Sequence, residues 1–360
     1  MLLGAVNIPE FLKGENGQLL SGPCRGLGTV SADAVSARGG EAAPPAALSH
    51  AAPLAALGGT VPARPRWFSD ALAHEPARRW HAVHGARIET LSWGARGKPG
   101  LLLLHGKMAH ADWWSFIAPF FADTHRVVAP SFGGMGGSDW RAGYSVQTMA
   151  DEAMAAAEHE GLFDAATPPV LVGHSFGGFV SLVCAQRHGT RLGGVFTLDM
   201  PLMSREQRAA RARPGLRAFT TRPTRLYASL EAALARFRFA PEQPCDNLYI
   251  ADHIARTSLK QVRADDGSAA WTWRFDPEVA PLGPGQPAQA LREAGCPVAI
   301  GWGTDSALVT PPVAAYACEL AGAQAPRMAI ARARHHVMVD QPLALVDALR
   351  ELLQRWPPPR

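Results

Sequence analysis

The stretch Pro169-Val170-Leu171-Val172-Gly173-His174-Ser175-Phe176-Gly177-Gly178-Phe179-Val180 decides how this chain folds. Its apolar opening suits a strand buried on both faces, and past Gly178 the apolar residues Phe179, Val180, Leu182 and Val183 recur at helical spacing. Between the two stands Gly173-x-Ser175-x-Gly177. A strand-to-helix turn this tight forces its central residue into a strained backbone conformation, and side chains two positions to either side collide with it, so both flanks are glycine. The strain lifts the Ser175 hydroxyl clear of the sheet edge. Phe176 then opens the helix, and its backbone N–H is placed to hold a developing oxyanion.

Working outward, strands and helices alternate. Upstream, Arg79–Gly94 reads as a hairpin pivoting on His84-Gly85. Gly100–Gly106 reads as a doubly buried strand. A helical segment carrying Trp113, Trp114, Phe116, Ile117 and Phe120 comes next, then a buried strand over Arg126–Pro130 and a helix from about Val146 to His159. Downstream, Gly194–Asp199 and Cys296–Trp302 read as strands, Met328–Ile330 as a short one, and Pro342–Leu353 as a closing amphipathic helix. This order predicts an α/β fold: a mostly parallel sheet with right-handed crossovers and helices on its faces. Residues 200 to about 290 break the rhythm with Arg-studded helical segments, Pro-rich joints and no clear strand, and are expected to form a lid over the carboxyl ends of the strands.

Residues 1–66, rich in Gly, Ala, Pro and Ser, lack sustained periodicity and are expected to be a disordered leader ahead of a domain over 67–360; a targeting peptide is the alternative. The chain is 47% hydrophobic, enough for a large core, and its formal charge of +4 comes without basic runs interleaved with aromatics, which disfavours nucleic acid as a partner. The five cysteines (Cys24, Cys184, Cys245, Cys296, Cys318) are odd in number and widely spaced, which argues against a disulfide framework or a zinc site. No apolar run reaches the roughly 18 residues of a membrane span. A cytoplasmic location is the expectation. Seven arginines between Arg205 and Arg225 read as a solvated face, with an anionic-substrate or membrane-facing surface as the alternative.

Serine is a weak nucleophile at neutral pH and needs a base in contact with it and a third group to orient that base. Among thirteen histidines, His335 and His336 follow the last strand, and His335 is favoured as the base. Two aspartates compete as orienter, each with the plain alternative of capping the next helix. Asp199 ends a strand abruptly before Met200-Pro201, whereas Asp305 sits on the turn Gly303-Thr304-Asp305-Ser306; backbone restraint favours Asp199. A second oxyanion donor is expected from the Lys107 main chain after His105-Gly106, with the Lys107 side chain in solvent. His105 is expected to shape that loop through hydrogen bonds and not to bind metal.

Together these residues resemble the α/β-hydrolase superfamily over about Trp67–Leu353. His105-Gly106 with Trp113-Trp114 is similar to the family's oxyanion loop, Gly173–Gly178 to its nucleophile elbow, and His335–Pro342 to its closing histidine segment. The resemblance implies the α/β-hydrolase fold with a helical cap at about 200–290, and counting seven residues back from Pro342 selects His335. The sequence departs from the family at two places. The loop Pro130-Ser131-Phe132-Gly133 lacks an acid, and Ser306 occupies the usual acid position after the seventh strand. Relatives of that kind take the acid from a D-x-P setting after the sixth strand, which Asp199-Met200-Pro201 matches. Phe237, Phe239, Tyr249, Trp271, Trp273 and Phe275 could line an acyl pocket or pack the cap's own core.

The expectation is a serine hydrolase of a carboxylic ester or related small acyl compound, through an acyl-enzyme on Ser175 with Asp199 and His335, and with Phe176 and Lys107 N–H groups as the oxyanion hole. No metal or other cofactor is required. Carbon–carbon bond hydrolysis and acyl transfer are alternatives with the same residues, and a non-catalytic ligand receptor is the alternative of another class. The epoxide hydrolase and haloalkane dehalogenase routes of the superfamily need a carboxylate where Ser175 stands.

Overall fold

In strand β3, Gly100–Leu104, the leucines at 101 to 104 are all inaccessible to solvent and face alternately into two separate cores. That double burial fixes the layering. The computed structural model describes residues 52–211, 224–280, 282–283 and 285–356. Among them, eight strands form one sheet in the order β1-β2-β4-β3-β5-β6-β9-β10: β1 Ala77–Val83, β2 Ala86–Trp93, β3, β4 Arg126–Pro130, β5 Val170–His174, β6 Gly194–Leu198, β9 Val298–Gly303 and β10 Arg327–Ile330. The pairs β1·β2 and β2·β4 are antiparallel and every other pair is parallel.

Helices Val146–His159, Phe176–His188, Pro287–Arg292 and Pro311–Ala321 contribute to the core that takes Leu102 and Leu104; helices Arg66–Ala73 and Pro342–Arg355 pack on the side that takes Leu101 and Leu103. Ser145 caps the helix Val146–His159, its hydroxyl accepting from Thr148 N at 3.0 Å. The hairpin turns at His84 and Gly85, with φ of 47° and 77°, the pair of left-handed residues that a two-residue turn matched to strand twist requires.

Three local expectations are corrected. The tryptophan-rich segment after β3 is not one helix but two short 3₁₀ turns, Ala111–Trp114 and Ala118–Phe121, where Pro119 interrupts regular helix. Within residues 52–66, assigned to the leader, Leu54 packs against the body, 2% exposed within the core that holds Phe68, while most of the segment around it is exposed. The expected disorder of the leader otherwise falls on residues 1–51, outside the described residues. The insertion between β6 and β9 does contain strands. β7 (Leu259–Arg263) and β8 (Ala269–Trp273) form an antiparallel hairpin beside helices Arg205–Arg211, Leu230–Leu234 and Leu248–Thr257. Asp265-Asp266-Gly267 makes its turn, with Gly267 at φ 81°, an Asp-Gly signal that the surrounding Arg and Pro content obscured.

The chain runs from β3 outward to β4 and then back past β3 to β5. Strand order therefore reverses between β3 and β5, and a crevice opens there at their carboxyl ends, the place where open α/β sheets hold ligands.

Candidate active site

Ser175 follows β5 into that crevice with φ 51° and ψ −114°, a region costly for any residue with a Cβ. The glycines around it have no spare room. A Cβ at Gly173 would lie 2.3 Å from the Gly177 carbonyl oxygen, and one at Gly177 would lie 2.5 Å from that of Leu104 in β3. Ser175 occupies the N-cap position of the helix Phe176–His188, yet its hydroxyl makes no capping bond. A serine there ordinarily spends its hydroxyl on the helix; the strained backbone turns this one away.

Asp199 stands at the matching place after β6, also left-handed at φ 46°, and is fully buried. Its carboxylate accepts three bonds: from His335 Nδ1 at 2.7 Å and Ser306 Oγ at 2.7 Å on Oδ2, and from Gly303 N at 2.9 Å on Oδ1. Asp305, the competing aspartate, instead accepts from its neighbour Thr304 at 3.0 Å and does not touch His335. Ser306 thus stands where relatives place an acid and donates to the acid supplied by the neighbouring strand.

His335 reaches this edge in the loop after β10, held by its own carbonyl, which accepts from His174 Nε2 at 2.9 Å. Since His174 directly precedes Ser175, this bond ties the histidine loop to the elbow, and the two imidazole centroids lie 4.9 Å apart. Among the described residues no hydrogen bond links the Ser175 hydroxyl to His335; such bonds are often long before substrate arrives. Burial drives the His174 imidazole down to about 3 and that of His336 well below its ordinary value, so both rings are neutral. The rings of His174, His335 and His336 offer nitrogens within 4.8 Å of one another and are the residues that could hold a metal ion, although two of them already spend a nitrogen on protein acceptors.

The other wall comes from β3. Phe176 N–H, in the first helical turn, has no i−4 partner. Gly106 packs so closely that a Cβ on it would lie 3.5 Å from Ser175 Cβ and 3.1 Å from His174 Nδ1, which sets the residue before Lys107 directly against the elbow. His105 shapes the loop: Nδ1–H donates to the Gly106 carbonyl at 2.7 Å and Nε2 accepts from Phe132 N at 3.0 Å, and burial lowers it to about 3, which keeps that tautomer neutral. The Lys107 side chain is not in solvent, as expected, but half-buried, its ammonium donating to the Ala280 carbonyl at 2.8 Å and to that of Leu282. Carboxylates from elsewhere bond the acid-free loop Pro130–Gly133 and its continuation: Glu89 of β2 accepts from Ser131 Oγ at 2.8 Å and Gly137 N at 2.7 Å, and Glu152 accepts from Gly133 N at 2.8 Å.

A cavity of about 210 Å³ lies between this edge and the insertion, with Lys107, Met108, Trp113 and His336 on one side and Arg236, Phe237, Arg238, Trp273 and Phe275 on the other. Of the six candidate pocket aromatics, Phe237, Trp273 and Phe275 line it; Phe239 packs its ring on His336 at 5.0 Å, Tyr249 packs on Phe68 at 4.9 Å, and Trp271 pairs with Tyr227. The insertion also braces the histidine loop, because Gln243 Oε1 accepts from His336 N at 3.0 Å and its amide donates to Asp340 at 3.2 Å. Nothing in the local sequence marks Gln243 for this; only the fold brings it 93 residues back along the chain to His336.

Residues 101–348 match the model of the alpha/beta hydrolase family. The chain belongs to that family. Similar curated proteins include epoxide hydrolase A of Mycobacterium tuberculosis, 30% identical over 138 residues that cover 37% of this chain and 41% of that protein. Lipase LipV of the same organism is 28% identical over 107 residues, covering 30% and 39%. The chain thus spans about two fifths of the length of the curated relatives it matches. Among solved structures, E-2-(acetamidomethylene)succinate hydrolase superposes with TM-score 0.64 at 20% identity over 78% of this chain and 99% of the other. The thioesterase domain from the curacin biosynthetic pathway gives 0.62 at 22% identity over 76% and 99%. At such identities these likenesses concern the fold. In the described residues no helix is long and apolar enough to cross a membrane.

Proposed function

We propose that this member of the alpha/beta hydrolase family is a serine hydrolase that cleaves a carboxylic ester or related acyl compound. His335 Nε2 takes the proton as Ser175 Oγ bonds to the substrate carbonyl carbon; the carbonyl electron pair moves onto oxygen, which the N–H groups of Phe176 and Lys107 hold. The intermediate collapses, the bond to the leaving alcohol breaks, and the alcohol departs with the proton from His335. Water, deprotonated by the same imidazole, then opens the acyl-enzyme to release the acid and restore the hydroxyl. Asp199 holds the imidazole with Nδ1 protonated and Nε2 facing the nucleophile.

The observation that carries this reading is the 2.7 Å bond from His335 to a buried, three-times-bonded Asp199 at the same sheet edge as a strained, non-capping Ser175. The likeness to an epoxide hydrolase does not transfer its chemistry, since a serine stands at the elbow. Treatment of the folded protein with a fluorophosphonate probe tests the reading: a single adduct on Ser175, absent from Ser175→Ala and slowed in His335→Ala, is expected. No adduct on folded protein would favour a non-catalytic binding protein on the same scaffold.

A further inference from the structure

The insertion carries the positive balance of the whole chain: residues 200–290 hold thirteen Lys and Arg against nine Asp and Glu, while the complete sequence stands at +4. From Gln207 to Leu230 there is no acid at all. The same sign reaches the cavity. Among the described residues its charged lining is Lys107, Arg236 and Arg238, with no carboxylate. Arg238 Nη1 donates to the Phe237 carbonyl at 2.9 Å, an acceptor that leaves its charge uncancelled. Arg236 has no ion-pair partner among the described residues. Both arginines are exposed to solvent, and much of the remaining lining is aromatic: Trp113, Phe237, Trp273 and Phe275.

A cleft of one sign with low-dielectric walls concentrates ligands of the other sign, and guanidinium forks match carboxylates in shape as well as charge. At about 210 Å³ the space is below the roughly 300–1,000 Å³ of sites for drug-sized ligands, so the occupant is short. We propose that the cavity takes an acyl group ending in its own carboxylate, as in a half-ester of a short dicarboxylic acid, with Arg236 and Arg238 meeting the carboxylate and the aromatic wall covering the methylenes. This specificity rests on the hydrolase reading above and names its substrate class.

The test compares the p-nitrophenyl half-ester of glutaric acid with p-nitrophenyl valerate, close in size but neutral, and with a valerate ester whose leaving phenol carries a sulfonate. The expected ratio of kcat/KM, half-ester to valerate, is about 10 or more at low ionic strength and falls toward 1 near molar salt. It should drop at least about tenfold in Arg236→Glu/Arg238→Glu, with Arg236→Gln/Arg238→Gln intermediate and fluorophosphonate labelling of Ser175 retained as a check on folding. A ratio at or below 1, a ratio indifferent to both double variants, or a preference for the sulfonated leaving group overturns the proposal. Calorimetry with glutarate against 1,5-pentanediol reads the cavity without turnover. If neither ester is cleaved and no probe adduct forms, the hydrolase reading fails; glutarate binding lost in the Gln variant then still supports the cavity assignment, and no binding by the wild type overturns it.

Discussion

The two ends of the sheet hold two very different hollows. At the amino ends of the strands lies a groove of about 760 Å³ walled by residues such as Pro99, Thr167, Gly193, Pro297 and Trp356. The hollow at the carboxyl ends measures about 210 Å³ and meets Lys107 and His336. None of the described residues lining the larger space enters the proposed chemistry, whereas the smaller one is lined by Lys107, whose backbone N–H that chemistry uses, and by His336, the neighbour of His335. Backbone strain explains the difference. Of five non-glycine residues with left-handed φ among the described ones, Met108, Ser175, Asp199 and Arg332 all follow the carboxyl ends of sheet strands, while His84 serves the hairpin turn. Each such conformation costs on the order of 1–3 kcal/mol, so it persists only where the surroundings hold it, and it is at these strand ends that side chains leave the sheet and converge.

The sharpest contrast comes from removing the nucleophile. Ser175→Ala is expected to lower kcat on an activated ester by a factor on the order of 10⁶, whereas Thr190→Ala, an exposed change on the large groove, is expected to leave it within about twofold. Comparable losses at both ends would break the comparison. Next in size, Asp199→Asn is expected to cost about 10⁴ in kcat because an amide no longer selects the imidazole tautomer, with Asp305→Asn near wild type. The reverse result would assign the acid to the β9 loop. Ser306→Ala removes one donor from the Asp199 carboxylate while His335 and Gly303 remain; since bonds to charged groups are worth about 1.5–3 kcal/mol, a kcat loss of roughly 10- to 100-fold is expected. Steady-state kinetics on one ester series measure all three.

A smaller effect concerns stability and acid. His105 and His174 are buried neutral, their native values lowered to about 3 from an unfolded value near 6.5. The unfolded chain therefore binds more protons between these limits, so the stability due to each is whole above pH 6.5 and declines as pH falls toward 3. By pH 5 each costs on the order of 2 kcal/mol. Glu152 runs the other way: burial raises it to about 6 from an ordinary 4.5, so its contribution is present below 4.5 and fades as pH rises through 6. A urea midpoint that falls from pH 7 to pH 5, with a shallower fall in His174→Gln, is expected; no fall would show that these imidazoles do not hold the site edge as described.

Much of this was legible in the sequence because it is periodic and local. Leucines 101–104 in an unbroken run, a glycine two residues to either side of Ser175, and His84-Gly85 between alternating strands each encode geometry within a few residues. What was missed is non-local or masked by composition. The β7–β8 hairpin hid in an Arg- and Pro-rich insertion, Leu54 looked like part of a low-complexity leader, and Pro119 broke an apparently continuous helix. The Lys107 side chain looked solvated because its carbonyl acceptors lie more than 170 residues downstream.

By itself the sequence determined the alternation of buried strands with helices and the kinked turn at Ser175, since both follow from spacing and from which residues tolerate a left-handed backbone. Tertiary structure alone decided which aspartate meets His335, that Ser306 and Gly303 complete its hydrogen bonding, and that Arg236 and Arg238 border the cavity. The physical reason is that a buried carboxylate is satisfied by whichever donors the packed strand ends bring within about 3 Å, and neighbours across a sheet have no fixed separation along the chain.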